Sequence, residues 1–175
     1  MSKLNFVKIN FVDKGTFYLK FFIFVFLTIF LIFLKTFLQF VSKRASQKIV
    51  QIFHKLLLWL ININVEVVGK SNLNNVPKLY VSNHLSYLDI PVLGSTLNGR
   101  FIAKNEISNW PIFGYLSKVG NTIFINRNLR FLKRNKSIIY DFISKGDSII
   151  LFPEGTTSDG IRVLKFKSSL LTSLE

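Results

Sequence analysis

Cysteine is absent from the 175 residues, and histidine and acidic side chains are scarce. Without cysteine the chain has no disulfide, no thiol nucleophile and no cysteine-based metal site. Its two histidines, His54 and His84, are far apart in the sequence, so a metal site is not predicted. Only nine residues are acidic, and a carboxylate close to either histidine is therefore a candidate for chemistry.

Basic and apolar residues are abundant instead. The chain has 23 Lys and Arg against nine Asp and Glu, and its formal net charge of +14 predicts an anionic partner. Many of these basic residues lie in the N-terminal third, which is also the most apolar part of the chain. Such a mixture is typical of a membrane surface rather than a nucleic-acid groove, so membrane lipids are predicted partners and nucleic acid is not.

The run FFIFVFLTIFLIFL, residues 21–34, carries no charge and is bracketed by Lys20 and Lys35. Because lysine side chains can extend toward water, the apolar character reaches from Phe17 to Val41. A spanning helix needs about 20 apolar residues, so this segment is predicted either to cross the membrane or to lie embedded in its interface. A cleaved signal peptide is a third interpretation, but no small-residue cleavage site follows.

A second helix is predicted from Ile49 to Ile63, because apolar residues recur there at helical spacing. We expect it to lie on the membrane or on the domain that follows. His54 falls on this helix, and a lone histidine on an amphipathic helix is more often structural than catalytic. The predicted organisation is therefore membrane-anchoring helices over residues 1–63 and an α/β domain over residues 64–175.

From Val65 onward, short β-rich runs alternate with helical patterns. The runs are VEVVG, KLYVSN, RFIAKN, NTIFINR and DSIILFPEG, and a helix ending near Gly146 is predicted between the last two. This alternation predicts an α/β fold with a mostly parallel sheet flanked by helices, preceded by the N-terminal membrane-associated helical segment.

Polar residues stand at the carboxyl ends of four predicted strands: His84, Lys104, Arg127 and Glu154. In open α/β sheets, ligands bind at that edge, so a shared site is predicted there. The two cations are suited to an anionic group, although a single surface cation more often has an ordinary ion-pair partner.

His84 and Asp89 lie within the stretch YVSNHLSYLDI. In a regular helix, five residues amount to about 140° of rotation, so the two side chains can meet only through an irregular turn at residues 82–84. If they meet, the imidazole can remove a proton from a hydroxyl while the carboxylate fixes its tautomer. Alternatively, Asn83 and Asp89 only shape a loop and His84 is exposed, and spacing alone does not separate these interpretations.

A serine hydrolase is not predicted from Ser86, because the chain has no G-x-S-x-G elbow. The segment FPEGTTSDG, residues 152–160, places a carboxylate, a conformationally free glycine and three hydroxyls side by side. Its backbone N–H groups and hydroxyls suit the binding of a polar head group, and the alternative is a solvated turn.

Four segments resemble sequence blocks of the glycerolipid acyltransferases, in the same order. NHLSYLD resembles the N-H-x-x-x-x-D motif, and FPEGTTS resembles F-P-E-G-T-x-S. GNTIFINR and FIAKNEISNWPIFG are similar to the two blocks between those motifs. The resemblance covers about residues 65–169, and the most similar class is the lysophosphatidic acid acyltransferases, or 1-acylglycerol-3-phosphate O-acyltransferases.

The resemblance implies a membrane-bound enzyme of phospholipid biosynthesis, with its active site on the cytoplasmic face of the inner membrane. His84, held by Asp89, would deprotonate the free hydroxyl of a lysophospholipid, which then attacks the thioester of acyl-CoA or acyl-carrier protein. Neither an acyl-enzyme nor a cofactor is needed for the conversion of lysophosphatidic acid to phosphatidic acid.

The same resemblance implies a set of substrate-binding residues. Two cations would hold the acceptor phosphate, an acidic residue and its neighbours would position the acceptor, and an asparagine would shape the turn. In this sequence they are Lys104 and Arg127, then Glu154, Gly155 and Thr156, and finally Asn83.

The sequence departs from the family pattern at two places. Thr157 stands where members often have arginine, so a zwitterionic acceptor such as lyso-ornithine lipid is an alternative to lysophosphatidic acid. The chain also ends soon after VLKFKSSLL, whereas members continue through a further strand and an apolar block. We therefore expect a C-terminally incomplete domain, for which an inactive membrane-binding remnant is a further alternative.

Overall fold

The computed structural model describes residues 14–69, 76–126 and 128–167. It begins with helix α1, Lys14–Val41, whose 28 residues span about 42 Å and exceed the roughly 30 Å of a bilayer core. Among the side chains described from Gly15 to Val41, Leu31 and Lys35 are buried, whereas Phe26 and Phe33 are about 70% exposed. In the described part of the chain, α1 is the one helix long and apolar enough to cross a membrane.

Ser42 alone separates α1 from the second helix, α2, Lys43–Leu60. Its backbone is extended, with φ at −153°, and its hydroxyl accepts a hydrogen bond from the N–H of Ala45 at 3.3 Å. A serine in this N-cap position satisfies one of the free N–H groups of the new helix, which explains why the chain breaks here. The two helices then pack against each other.

The remaining elements alternate between strand and helix. They are β1 (Leu79–Val81), α3 (Asp89–Thr96), β2 (Arg100–Lys104), a 3₁₀ helix (Asn105–Asn109), α4 (Phe113–Val119), β3 (Ile123–Ile125), a 3₁₀ helix (Leu129–Phe131), α5 (Leu132–Ser144) and β4 (Ile149–Leu151). All strand pairs are parallel, in the order β1-β4-β2-β3. The predicted α/β class with a mostly parallel sheet is confirmed.

The sheet carries helices on both faces, as alternating side chains require. One face packs on α5, and the core between them consists of Ile139 of α5 and the strand residues Ile102, Ile123, Ile125, Ile149 and Leu151. On the other face, the ring of Phe101 lies 6.1 Å from the imidazole of His54 in α2. These continuous apolar strands are typical of a parallel sheet buried on both sides.

The run VEVVG, residues 65–69, does not form a strand, and Val68 is 89% exposed. A β-rich composition becomes a strand only where a neighbouring strand accepts its hydrogen bonds. In the described sheet, β4 is the partner of β1, and residues 65–69 pair with neither.

His54 is buried between α2 and α3, as expected for a structural residue. A Cβ added to Gly94 of α3 would lie 2.0 Å from Nδ1 of His54, so only glycine permits this approach. Burial lowers the pKa of His54, and interaction with the Gly94 backbone opposes this only in part. The α2 helix thus packs on the domain as well as on α1, and the boundary at residues 63 and 64 stays a prediction.

Asp147, just before β4, joins α2 to the sheet. Its Oδ2 lies 2.9 Å from Nζ of Lys43 and 2.9 Å from Nε of Arg100, while Gln47 donates to Oδ1 at 3.2 Å. Burial alone would raise the pKa of Asp147, but the hydrogen bond from Lys43 and the charge of Arg100 lower it below its usual value. The ionised carboxylate therefore joins α2, through Lys43, to β2, through Arg100.

We expect Asp147→Asn to destabilise the fold by about 3 kcal/mol near neutral pH, because it leaves the two cations without a buried anion. Since the folded pKa of Asp147 is lowered, its contribution is present above the unfolded pKa and is lost as the pH falls through the folded pKa. Urea unfolding in detergent micelles at about pH 7 and about pH 3 measures both effects. A deficit of equal size at both pH values would contradict this account.

Candidate active site

The chain between β1 and α3 follows an irregular path. Residues 82–86 have no regular structure, a turn follows at 87–88, and α3 begins only at Asp89. The hydrogen bonds within this loop are local, for example from Leu88 N–H to the hydroxyl of Ser86 at 3.0 Å. The irregular turn that the five-residue spacing requires is therefore present.

The carboxylate of Asp89 closes this turn. Its Oδ2 lies 2.8 Å from Nδ1 of His84 and accepts hydrogen bonds from the N–H groups of Leu85 at 2.6 Å and Ser86 at 3.0 Å. The side chains of His84 and Asp89 are 13% and 22% exposed, so both remain accessible. The structure thus brings the predicted pair together, although their roles in chemistry stay predictions.

The segment after β4 holds the backbone of His84 from the other side. Oε1 of Glu154 accepts from the N–H of His84 at 3.2 Å, and the N–H of Ser158 donates to the carbonyl of His84 at 2.8 Å. Glu154 is 2% exposed, and its Oε2 has no partner among the described residues. Because β1 and β4 are neighbours in the sheet, the two motifs meet where both strands end.

The sequence did not predict the contact between Phe152 and His84. Its ring stacks on the imidazole of His84 with centroids 4.0 Å apart and planes at 15°, and it also stacks on Phe101 at 6.1 Å. The only signal in the sequence is an aromatic residue directly before the Pro-Glu-Gly stretch. The side chains that Phe152 contacts depend on the order of the strands in the sheet, and the sequence alone does not give this order.

The other predicted residues are spread along the same edge of the sheet. Lys104 is exposed at the end of β2, and no described hydrogen bond or ion pair joins it to His84 or Glu154. Asn83 and Thr156 are exposed. Gly155 adopts φ +78°, a conformation that favours glycine, and its N–H donates to the carbonyl of Phe152 at 3.2 Å.

Arg127 lies outside the described residues, so its predicted place beside the acceptor phosphate stays a prediction. Ser86 uses its hydroxyl to accept from the backbone of Leu88, as a loop-forming serine does. In the described ranges, no three His, Asp or Glu side chains converge as metal ligands would.

An apolar cavity of about 290 Å³ lies between the N-terminal helices and the domain. Its wall includes Leu31 of α1, Phe53 of α2, Phe113 of α4 and Leu88 of the turn after His84. Phe101 also lines it, and through Phe152 the cavity wall is connected by stacked rings to His84. The site thus combines polar residues at the edge of the sheet with an adjoining apolar cavity.

Comparison with known proteins agrees with this geometry. The profile of the Acyltransferase family matches residues 64–174. A lyso-ornithine lipid O-acyltransferase of Brucella abortus (strain 2308) is 38% identical over 130 residues, which are 71% of this chain and 47% of that protein. A 1-acyl-sn-glycerol-3-phosphate acyltransferase of Neisseria gonorrhoeae is 36% identical over 96 residues, 54% of this chain and 38% of that protein.

The fold is similar to that of a solved structure, the 1-acyl-sn-glycerophosphate acyltransferase PlsC from Thermotoga maritima. The TM-score is 0.65 with 27% identity, over 91% of this chain and 69% of that one. The chain spans less than half the length of the two curated relatives. The resemblance seen in the four motifs is confirmed, and this chain belongs to the Acyltransferase family.

Proposed function

We propose that this chain is a membrane-associated O-acyltransferase that moves a fatty acyl group from a thioester to the free hydroxyl of a lysophospholipid. The observation that carries the proposal is the contact of 2.8 Å between Nδ1 of His84 and Oδ2 of Asp89 at the open edge of the sheet. Family membership supplies the reaction class, and this pair supplies a base for it.

The hydrogen bond between His84 and Asp89 determines which imidazole nitrogen can act as the base. An ionised carboxylate only accepts hydrogen bonds, so the Nδ1 of His84 donates to Asp89 and Nε2 carries the lone pair. Nε2 removes the proton of the acceptor hydroxyl as its oxygen attacks the thioester carbonyl carbon. The carbon–sulfur bond then breaks, and the thiol leaves with the proton from the imidazolium. No acyl-enzyme and no cofactor take part.

The apolar cavity and α1 support a lipid substrate. An apolar chamber of about 290 Å³ beside the stacked rings suits the acyl chain of the donor or of the acceptor. The outward face of α1 presents phenylalanines that are better solvated by lipid than by water. We place the protein in the cytoplasmic membrane with its site facing the cytoplasm, where acyl-CoA or acyl-carrier protein is the donor.

Two acceptors are supported by different observations. Lys104 at the strand end favours a phosphate, as in lysophosphatidic acid, and Arg127 is proposed to assist it. Thr157, exposed after the Glu154 segment, supplies no charge where many family members have arginine, and this favours a zwitterionic acceptor. The similarity to lyso-ornithine lipid O-acyltransferases supports lyso-ornithine lipid as the second candidate.

We expect His84→Ala to lower acyl transfer to lysophosphatidic acid by about 10²–10⁴-fold, the usual contribution of a general base. Transfer of a radiolabelled acyl group by membranes that contain equal amounts of each variant measures the effect. Tyr140→Ala is the matched control, because Tyr140 is exposed on α5, away from the site. Undiminished transfer by His84→Ala would contradict the proposal, and lipid binding without any turnover by the unaltered chain would favour the membrane-binding alternative.

We expect Thr157→Arg to raise transfer to lysophosphatidic acid relative to lyso-ornithine lipid by about tenfold, because a guanidinium binds phosphate with paired hydrogen bonds. Thr157→Gln is the matched control, since it adds length without charge. The kcat/KM values for both acceptors, each measured with both thioester donors, test this expectation. An equal change with both acceptors would show that position 157 does not select between them.

A further inference from the structure

Residues 110–115, which we call the tip segment, run from the end of the first 3₁₀ helix into the first turn of α4 and expose four large apolar side chains. Trp110, Ile112, Phe113 and Tyr115 are 44%, 72%, 67% and 58% exposed. Scattered single apolar side chains are ordinary on a protein surface, but a group of this size is typical of an interaction site. The proposed chemistry at His84 makes no use of this group.

The tip segment also holds a strained backbone. Ile112 adopts φ 56° and ψ −64°, and the N–H of Phe113 donates to the carbonyl of Pro111 at 2.5 Å. This is the γ-turn with positive φ, which is rare and strained, and β-branched residues strongly disfavour it. Strain of this kind persists where the surroundings enforce it and is concentrated at functional sites.

The backbone packs closely just behind the turn. Gly114 is buried, and a Cβ at that position would lie 2.6 Å from the carbonyl oxygen of Ser108 and 2.8 Å from that of Ile107. Only glycine permits this approach, and in front of it the chain turns with Ile112 exposed. Apolar burial within the protein would favour the opposite orientation for an isoleucine.

The tip segment lies on the same side of the domain as α1. Phe113 lines the apolar cavity together with Leu31 and Ile32 of α1, so these elements are neighbours. Tyr87 and Leu88, in the turn after His84, line the same cavity and are 68% and 44% exposed. Exposed apolar side chains thus surround the approach to the site on the side of the membrane helix.

We propose that the tip segment is a second lipid contact, inserted into the boundary between head groups and acyl chains beside His84. Trp110 and Tyr115 have the amphipathic rings that favour this boundary, and Ile112 forms the apolar point between them. Exposed Lys104 and Lys118 flank the segment and suit anionic lipid head groups. The inference rests on the proposed membrane location, and its test does not require acyl transfer.

Depth-dependent quenching of tryptophan emission tests the contact. The chain has two tryptophans, so Trp59→Phe leaves Trp110 as the only reporter. In vesicles of phosphatidylcholine and phosphatidylglycerol with brominated acyl chains, we expect Trp110 to lose about half or more of its emission. Trp110 emission that is quenched by aqueous iodide and not by brominated lipid would overturn the proposal.

Two further variants provide the controls. Tyr140→Trp, in a chain with both natural tryptophans replaced by Phe, places the reporter on α5 across the sheet from α1, and we expect it to stay unquenched. Ile112→Gly relieves the positive φ, so we expect an equal or higher Tm together with weaker quenching of Trp110. A lower Tm with unchanged quenching would mean that Ile112 is structural and would overturn its role in lipid contact.

The stack between Phe152 and His84 carries a second, independent inference. The ring of Phe152 lies parallel to the imidazole with centroids 4.0 Å apart, so it covers one face of the imidazole and limits its rotation. Phe152 is 7% exposed and is held by Phe101, so its position is fixed. We infer that Phe152 is a positioning residue that keeps Nδ1 of His84 on Asp89 and Nε2 directed at the acceptor during transfer.

This inference rests on the proposed role of His84. We expect Phe152→Leu to lower kcat about tenfold, with little change in the KM for the acceptor, because the imidazole loses the ring that holds its orientation. Phe152→Tyr keeps the ring and should restore kcat.

Tyr140→Leu is the control, because it removes an exposed aromatic ring on α5 that lies outside the stack. We expect its kcat to equal that of the unaltered chain. If His84→Ala abolishes transfer but Phe152→Leu leaves kcat unchanged, only the role of Phe152 is refuted. If His84→Ala leaves transfer intact, the proposed function itself is refuted.

Discussion

A single oxygen atom, Oδ2 of Asp89, organises the loop that carries His84. It receives the N–H groups of Leu85 and Ser86 as well as Nδ1 of the imidazole, so the backbone donors are satisfied without a helical turn. A regular helix through these residues would place the two side chains on different faces. The Asp89 carboxylate therefore stabilises the irregular loop and also holds the imidazole. The same three hydrogen bonds determine both the local backbone structure and the geometry of the site.

The sheet supplies the second constraint. Because β1 and β4 are parallel neighbours, the loop after one strand must meet the loop after the other, and Glu154 and Ser158 bind the backbone of His84 on both sides. Removing the Glu154 carboxylate would leave a half-buried N–H group without an acceptor, which is costly in a protein interior. The segments NHLSYLD and FPEGTTS are thus one hydrogen-bonded unit in space.

Much of this was predictable from the sequence, and the limits have physical reasons. Apolar runs followed by a polar residue predicted the four strands that form the sheet, and helical spacing predicted α2 and α5, although α2 begins at Lys43 rather than at Ile49. The stack of Phe152 on His84 and the salt bridges of Asp147 were not predictable, because both depend on the order of the strands. The turn at Ile112 was also missed, because isoleucine disfavours positive φ and the cause lies in the packing behind Gly114.

Gly94 has a mechanical consequence for the apolar cavity. Its missing side chain lets the His54 ring touch the α3 backbone, so α2 and α3 meet without a layer of side chains between them. Helices that fit this closely cannot slide along each other, and the Asp147 salt bridge adds a second fixed point. Sliding motions of α2 are therefore suppressed, whereas α1 is separated from α2 by the single residue Ser42. Widening the cavity by a hinge at Ser42 would separate α1 from α2 and break the hydrogen bond of 3.3 Å from Lys35 to Asn121.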